Sequence, residues 1–455
     1  MTNDIYQLEN KNKNIMENIL DIKKTYLSHF TDFENSLNGG KSKPVHELRK
    51  SAISKFSDLQ FPTTRDEEWK YTNISPLFNH TFKPARKSAK DYDVKVTPFL
   101  FDKMEHSLLV FINGIYSKAL SKIKNLPQGV IVKSLAEAIK EDNPIVKQHI
   151  GKYADFKNHI FTSLSTAFVN DGAFVYVPDG KVIEDPIHIL FLTIADDNKI
   201  LVQPRNLFVA AKNSQSTFIE HYASLNDDIY FTNSVTEIVT EENAFVDHVK
   251  LQEESIKAFH IGRMDVHQER NSNFVSHLIS FGSEISRNDF NCRFNDEGGE
   301  CMLNGLYLIE GSQLFDAHTL IDHAKPHCNS HEHYKGILTD SSRGVFNGKV
   351  IVRKDAQKTN AFQENNNIIL SNDALVNTKP QLEIFADDVK CSHGATIGQL
   401  DNDAMFYLKS RGIGVDVVKA ILIHAFASDV VRYIKIDAVR NYVEGILKKK
   451  FHEDQ

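Results

Sequence analysis

The sequence predicts a mainly β protein, a solenoid flanked by α-helical regions at both ends. Three observations carry that prediction. From about residue 100 to 398, short runs of β-branched and aromatic residues alternate with Gly, Asn, Asp and Ser, as in AFVYVPDGKVIEDPIHILFLT, STFIEHYASL and GVFNGKVIV. No helical period survives over any long part of that region, whereas apolar residues recur at spacings of three and four on either side of it. At 455 residues the chain exceeds one ordinary compact core, so several domains or a repeat architecture is expected.

Taken in order, Ile19, Leu20, Ile22, Tyr26, Phe30, Phe33 and Leu37 lay out an amphipathic helix from Ile15 to Leu37, which Gly39-Gly40 stops. Val45 to Leu59 is a second amphipathic stretch, ended by Pro62. The only tryptophan, Trp69, follows in FPTTRDEEWKYTNISPLF. Strands of about five residues, recurring every ten or so, then allow a sandwich, a barrel or a β-solenoid. Polar stacks such as Asn365-Asn366-Asn367 favour the solenoid, although no strict repeat is present. Past Gly398 the period turns helical. Asp401 can cap a helix from Asn402 to Arg411, and Gly412 can close it in a left-handed conformation. Val417–Ala427 and Val430–Leu447 follow as two more helices. The expected division is an N-terminal helical region (1–98), a β core (99–398) and a C-terminal helical region (399–455) whose tail, KKKFHEDQ, is frayed.

Composition narrows the function. Hydrophobic residues at 41% and charged residues at 25% are usual for a soluble globular protein. A net charge of -7 argues against a nucleic-acid binder, which would show a basic face. The longest apolar runs, such as Ile187–Ile194 (IHILFLTI), are strand-length and too short to span a bilayer. The opening residues, MTNDIYQLENKNKN, lack the apolar core of a signal peptide, so a cytoplasmic protein is expected. Cys292, Cys301, Cys328 and Cys391 are few and irregularly placed, which fits a reduced intracellular protein better than a disulfide scaffold.

The residues that could carry chemistry fall into four groups. Cys391 and His393 stand two apart; on a strand both point to one face, as two soft-metal ligands of an incomplete site or as two ordinary core side chains. His323, His327, Cys328, His331 and His333 form the densest cluster, in DHAKPHCNSHEHYKGIL. Its spacings match no closed zinc pattern, Pro326 argues against a helix, and on extended chain His327, His331 and His333 would share a face. A metal site and a stack of polar and aromatic surface rungs are both open. The helix after Asp401 shows an apolar face, Leu400, Met405, Phe406 and Leu408, with Tyr407 and Arg411 beside it; packing on the solenoid end and partner binding are both open. Asp66, Glu67 and Glu68 read as a solvated face, or as carboxylates that stabilise a helix dipole, rather than as catalytic carboxylates. There is no G-x-x-x-x-G-K-[ST], no G-x-S-x-G and no Rossmann fingerprint, so any ATPase activity belongs to a partner.

Three ordered motifs carry a resemblance over the region from about Phe61 to Ala427: RDEEWKYT, the run from Tyr334 to Ser371 (YKGIL…VFNGKVIV…AQKTNAFQENNNIILS), and CSHGATIGQLD…FYLKSRGI. Together they resemble the SufB/SufD family, which builds iron–sulfur clusters, with Cys-Ser-His-Gly in the SufD form. The resemblance implies a right-handed parallel β-helix and a non-enzymatic scaffold. It implies pairing with a SufB-type subunit over a shared cluster-assembly site, with His393 and, less directly, Cys391 contributing. It also implies docking of a SufC-type ATPase through the C-terminal helical region, including Leu400, Met405, Phe406, Tyr407, Leu408 and Arg411. Where SufB proteins carry an essential cysteine this chain has Ala374 nearby, and where they have a glutamate after the histidine it has Gly394. Both departures imply that a partner completes the site. No cofactor is then expected to stay tightly bound to the isolated chain; a nascent cluster belongs to the complex, where a flavin also stays open, as does a homodimer in isolation. The competing class is an enzyme on a β-solenoid, either carbohydrate-active or metal-dependent on the histidine cluster.

Overall fold

The computed structural model of the protein describes residues 2–37, 40–85, 92, 94–195 and 199–452. Gly39 and residues 453–455, on which the first helix stop and part of the frayed tail were expected, lie outside them.

The chain is mainly β and winds as a parallel solenoid. From Gln215 onward, strands of eight to ten residues fall alternately into two sheets. In the first sheet Phe231 aligns with Phe259, and the column continues through Ile285, Leu314, Arg343 and Leu375. In the second, Phe245 aligns with Asn273, then Glu300, Asn329, Asn360 and Lys390. The strands are about twice the expected length. Most are buried on both faces, so the polar–apolar alternation that marks a half-exposed strand is absent, and interior polar residues do not end them.

Side chains of one parity face the lumen between the sheets. Phe218, Val246, Phe274, Phe290, Leu303, Tyr307, Phe315, Tyr334 and Phe346 fill it, with Tyr307 stacked on Phe315 at 4.2 Å. Each coil turns from the first sheet to the second at one kind of corner. Asn213, Asn243, Asn271, Gly298, His327 and Lys358 take positive φ there, where asparagine and glycine are favoured. The residue after each is small or half-polar and buried or nearly so: Ser214, Ala244, Ser272, Gly299, Cys328 and Thr359.

The opposite parity faces outward, and helices cover it. Helices α1 (Thr2–Ser36) and α2 (Pro44–Asp58) come first, α1 starting well before Ile15. Three short helices, α3 (Leu135–Lys140), α4 (Pro144–His149) and α5 (Ile160–Ala167), interrupt the stretch read as strands alone. On the outer face of the first sheet, Tyr26, Phe56, Phe61 and Phe161 pack with Phe231, Phe259 and Ile285. At the C-terminus lie α6 (Asn402–Ser410), α7 (Val415–Val431) and α8 (Asp437–His452). Helices α7 and α8 cover the outer face of the second sheet, Ile423, Ala427, Val430 and Val443 meeting Val249, Ile279, Leu306 and Ile337. The break between them falls after Val431, later than expected, because Val430 and Val431 still face the sheet. Helix α8 runs through His452, so most of the tail expected to fray is helical. No described helix is long and apolar enough to cross a membrane.

Candidate functional site

The solenoid ends in two strands with nothing beyond them among the described residues. Leu375–Ile384 is the outermost member of the first sheet, and Lys390–Gly398 that of the second. Every other coil is sealed by the next; here the final rung faces solvent, and nearly all of Lys390–Gly398 is exposed. Around it Phe362, Leu375, Ile384, Phe385 and Ile397 are exposed apolar side chains. Pro380 and Lys379 sit on the terminal strand, as edge strands tolerate.

Cys391 and His393 lie on this rung. Cys391 aligns with Ala361 and His393 with Gln363, both of which face the lumen. Cys391 and His393 therefore face the lumen too, side by side at its open mouth. Cys391 is half-buried against the lumen core, and burial raises its thiol pKa. The His393 imidazole is exposed and has no hydrogen-bond partner among the described residues. Ala374 is buried at the corner leading into the terminal strand of the first sheet.

The histidine cluster is dispersed. His323 ends a first-sheet strand inside the lumen, bonded to Ser330 Oγ at 2.8 Å, and burial lowers its pKa to about 3. His327 occupies the left-handed corner, and Cys328 the buried position after it. His331 and His333 face outward on Asn329–Leu338, where His331 stacks on Phe362 at 5.3 Å and His333 meets Tyr433 edge-on. No metal-holding group of three or more such side chains occurs among the described residues. His327 does not share a strand face with His331 and His333, because the corner separates them.

Asp66, Glu67 and Glu68 are all exposed, as a solvated face requires, but two of them also make ion pairs. Glu67 pairs with Lys379, and Glu68 lies 3.5 Å from His318 and 3.6 Å from Lys349. Bonding to His318, more than any other cause, holds the Glu68 carboxyl down to about 2. Trp69 lies under the Arg287 guanidinium at 3.7 Å, Arg287 donates to Asp316 at 2.9 Å, and Thr72 donates to the same carboxylate at 2.5 Å. RDEEWKYT is thus a clamp that ties the N-terminal region to the outer face of the first sheet.

The C-terminal candidates divide. Asp401 caps α6 through Asp403 and Ala404 N–H, and Gly412 adopts φ +83°, as expected. Leu400 and Met405 line a cleft of about 770 Å³ between α6–α8 and the second sheet, with Leu308, Ile337 and Ile423. Leu408 is half-buried. Phe406 and Tyr407 point away, 76% and 54% exposed. Arg411 lies over the Tyr407 ring and donates to its hydroxyl at 2.8 Å. Helix α6 buries none of its residues, so it is not a cap on the solenoid end; α7 and α8 lie along its side.

Sequence reasoning missed the polar side chains inside the lumen. In the middle coils Lys250 donates to Asn288 at 2.7 Å and lies 3.1 Å from His260, which pairs with Glu254 at 2.6 Å; burial lowers the Lys250 pKa to about 8. Near the open mouth, Glu332 and Gln363 stand in register below His393. In FVDHVKLQE the available signal was a polar residue at every second position, His248, Lys250 and Gln252; NSHEHYKGIL and NAFQENNNII, which hold Glu332 and Gln363, carry no such pattern.

Comparison with known proteins adds to this geometry. Residues 192–426 match the family model described as "SUF system FeS cluster assembly, SufBD core domain", and residues 20–189 that of the "SufBD protein N-terminal region". An iron–sulfur cluster assembly SufBD family protein of Synechocystis sp. is 35% identical over 400 residues, covering 86% of this chain and 88% of the relative. The iron–sulfur cluster assembly protein SufD of Escherichia coli is 30% identical over 384 residues, covering 84% and 87%. The protein of that name from Bacillus subtilis is 26% identical over 416 residues, covering 89% and 94%.

Proposed function

The chain belongs to the SufBD family of iron–sulfur cluster assembly proteins, and from that premise we propose that it is a non-enzymatic, cytoplasmic scaffold of the Suf system. Its open terminal rung is completed by a SufB-type subunit, so that His393, with Cys391 beside it, forms one side of a shared cluster-assembly site. A SufC-type ATPase docks on the C-terminal helices through Phe406 and Tyr407, with Arg411 holding the tyrosine.

The observation that carries this reading is the lumen mouth. A thiol and an imidazole stand side by side on a solvent-facing edge strand, where a neutral imidazole and a thiolate suit iron or a cluster. Two side chains do not complete a site, and no third ligand joins them among the described residues. A strand edge with unpaired backbone groups is a surface on which another chain can pair. The nascent cluster is the cargo of that site rather than a resident cofactor.

The test is cluster formation on the reconstituted complex, followed by absorbance and iron content, for wild type, His393→Ala and Cys391→Ser. His393→Ala is expected to impair assembly while the complex stays intact. Assembly at the wild-type rate would make the histidine structural. Impairment by Cys391→Ser alone would reverse the assignment within the pair.

A further inference from the structure

A single polar column leads up the lumen to His393. Glu332, Gln363 and His393 are in-register partners on successive second-sheet strands, starting above the apolar Leu303. Glu332 and Gln363 are each only 3% exposed. Thr319 reaches across from the first sheet and donates to Glu332 Oε2 at 2.5 Å. Gln363 Nε2 donates to Glu332 Oε1 at 2.9 Å.

That bond orients the amide. Its nitrogen is committed to Glu332, so its oxygen is turned away from it. Gln363 Oε1 is buried and has no partner among the described residues, a state that calls for an explanation in a folded protein. The opposite sheet leaves space for the amide: a Cβ on Gly348 would come within 2.3 Å of Gln363 Nε2, so the glycine makes the room the amide occupies. The next rung of the column is His393, whose imidazole lacks a partner of its own.

We propose that Gln363 is a positioning residue for His393. Its Oε1 accepts the N–H of one imidazole nitrogen, which fixes the ring's tautomer and turns the other nitrogen's lone pair out of the lumen mouth. An outer partner of this kind commonly orients a histidine ligand and raises its basicity. The inference rests on the proposed role of His393. It adds that the ligand is presented by a ladder, from Thr319 through Glu332 and Gln363, rather than by an unrestrained surface side chain.

The experiment is long-range ¹⁵N–¹H correlation on the full-length protein labelled at histidine, with the His393 signals assigned by their loss in His393→Ala. Wild type should show two well-separated ring nitrogens, one carrying hydrogen and one not. In Gln363→Met the two should move toward each other as the tautomers mix, and Gly348→Ala, which displaces the amide without deleting it, should do the same. Circular dichroism on each variant shows that the fold is kept. In the reconstituted complex Gln363→Met should slow cluster formation roughly tenfold. If both variants leave the His393 nitrogens unchanged while His393→Ala impairs assembly, the positioning role is overturned and the function of His393 stands. If the nitrogens shift but neither Gln363→Met nor His393→Ala affects assembly, the positioning role stands and the function of His393 fails.

Discussion

Glu332 shows how one residue in the lumen links burial to behaviour in solution. Its carboxyl is enclosed, and burial raises its pKa from 4.5 to about 7. The folded-state value lies above the unfolded one, so the protonated form favours folding. The stability this group contributes is complete below about pH 4.5 and is lost as pH rises through 7. A glutamine there has no such dependence. Glu332→Gln should therefore gain stability relative to wild type between about pH 5 and about pH 8, by about 3 kcal/mol over that range. Thermal melts at both ends of the range check this; melting temperatures that stay parallel would show that the carboxyl is not enclosed. At this scale the sequence was partly legible. Cys391 and His393 were singled out by their spacing, and parity put them on one face. His327 and Cys328 were misleading because their chemistry suggested ligands, whereas their positions repeat Asn243-Ala244 and Asn271-Ser272 at earlier corners. Glu332 and Gln363 drew no notice, since a polar residue inside a strand is usually taken to face water.

At the scale of elements, two clamps hold helices to the outer faces of the sheets, and they differ in kind. RDEEWKYT is fastened by Arg287, which lies over Trp69 and pairs with the fully buried Asp316. Arg287→Ala takes the guanidinium from that carboxylate and leaves it only His318, 3.1 Å away, and the Thr72 hydroxyl, so a destabilisation of about 2 kcal/mol or more is expected. Chemical denaturation measures it, and a loss well below 1 kcal/mol would show that the clamp is ornamental. Helix α7 is fastened by Lys335, whose ammonium lies 2.7 Å from Asp429 and over the Phe426 ring. Helix α6 has no such fastening and exposes Phe406. Phe406→Glu should leave the melting temperature unchanged yet weaken binding of a SufC-type partner by 2 kcal/mol or more, as loss of an interface anchor does. Calorimetric titration with the ATPase decides it: unchanged affinity places the docking surface elsewhere. The helices at both ends were legible from their period and caps. Helices α3 to α5 were not, because six to eight residues are too few for a helical period to declare itself among strands.

For the whole molecule, the solenoid was legible as a class but its repeat was hidden. Coils such as Phe231–Phe259 and Phe259–Ile285 differ in length, so a fixed period fails. What recurs is local: a left-handed corner, a small buried residue, then a strand buried on both faces. The open end was not legible at all from one chain, because nothing in the residues after Gly398 says that α7 and α8 lie along the side of the solenoid instead of across its mouth. That placement leaves Lys390–Gly398 as a free edge with His393 on it, and it is the feature on which the proposed pairing with a SufB-type subunit depends. Hydrogen exchange at this strand tests it most directly, with the chain dilute and alone and again in complex with a SufB-type subunit. Amides of Lys390–Gly398 that point to the free edge should exchange fast in the isolated chain and become protected in the complex, while those bonded to Asn360–Ile369 stay protected in both. Equal, fast exchange of the edge amides in both states would contradict a partner-completed rung.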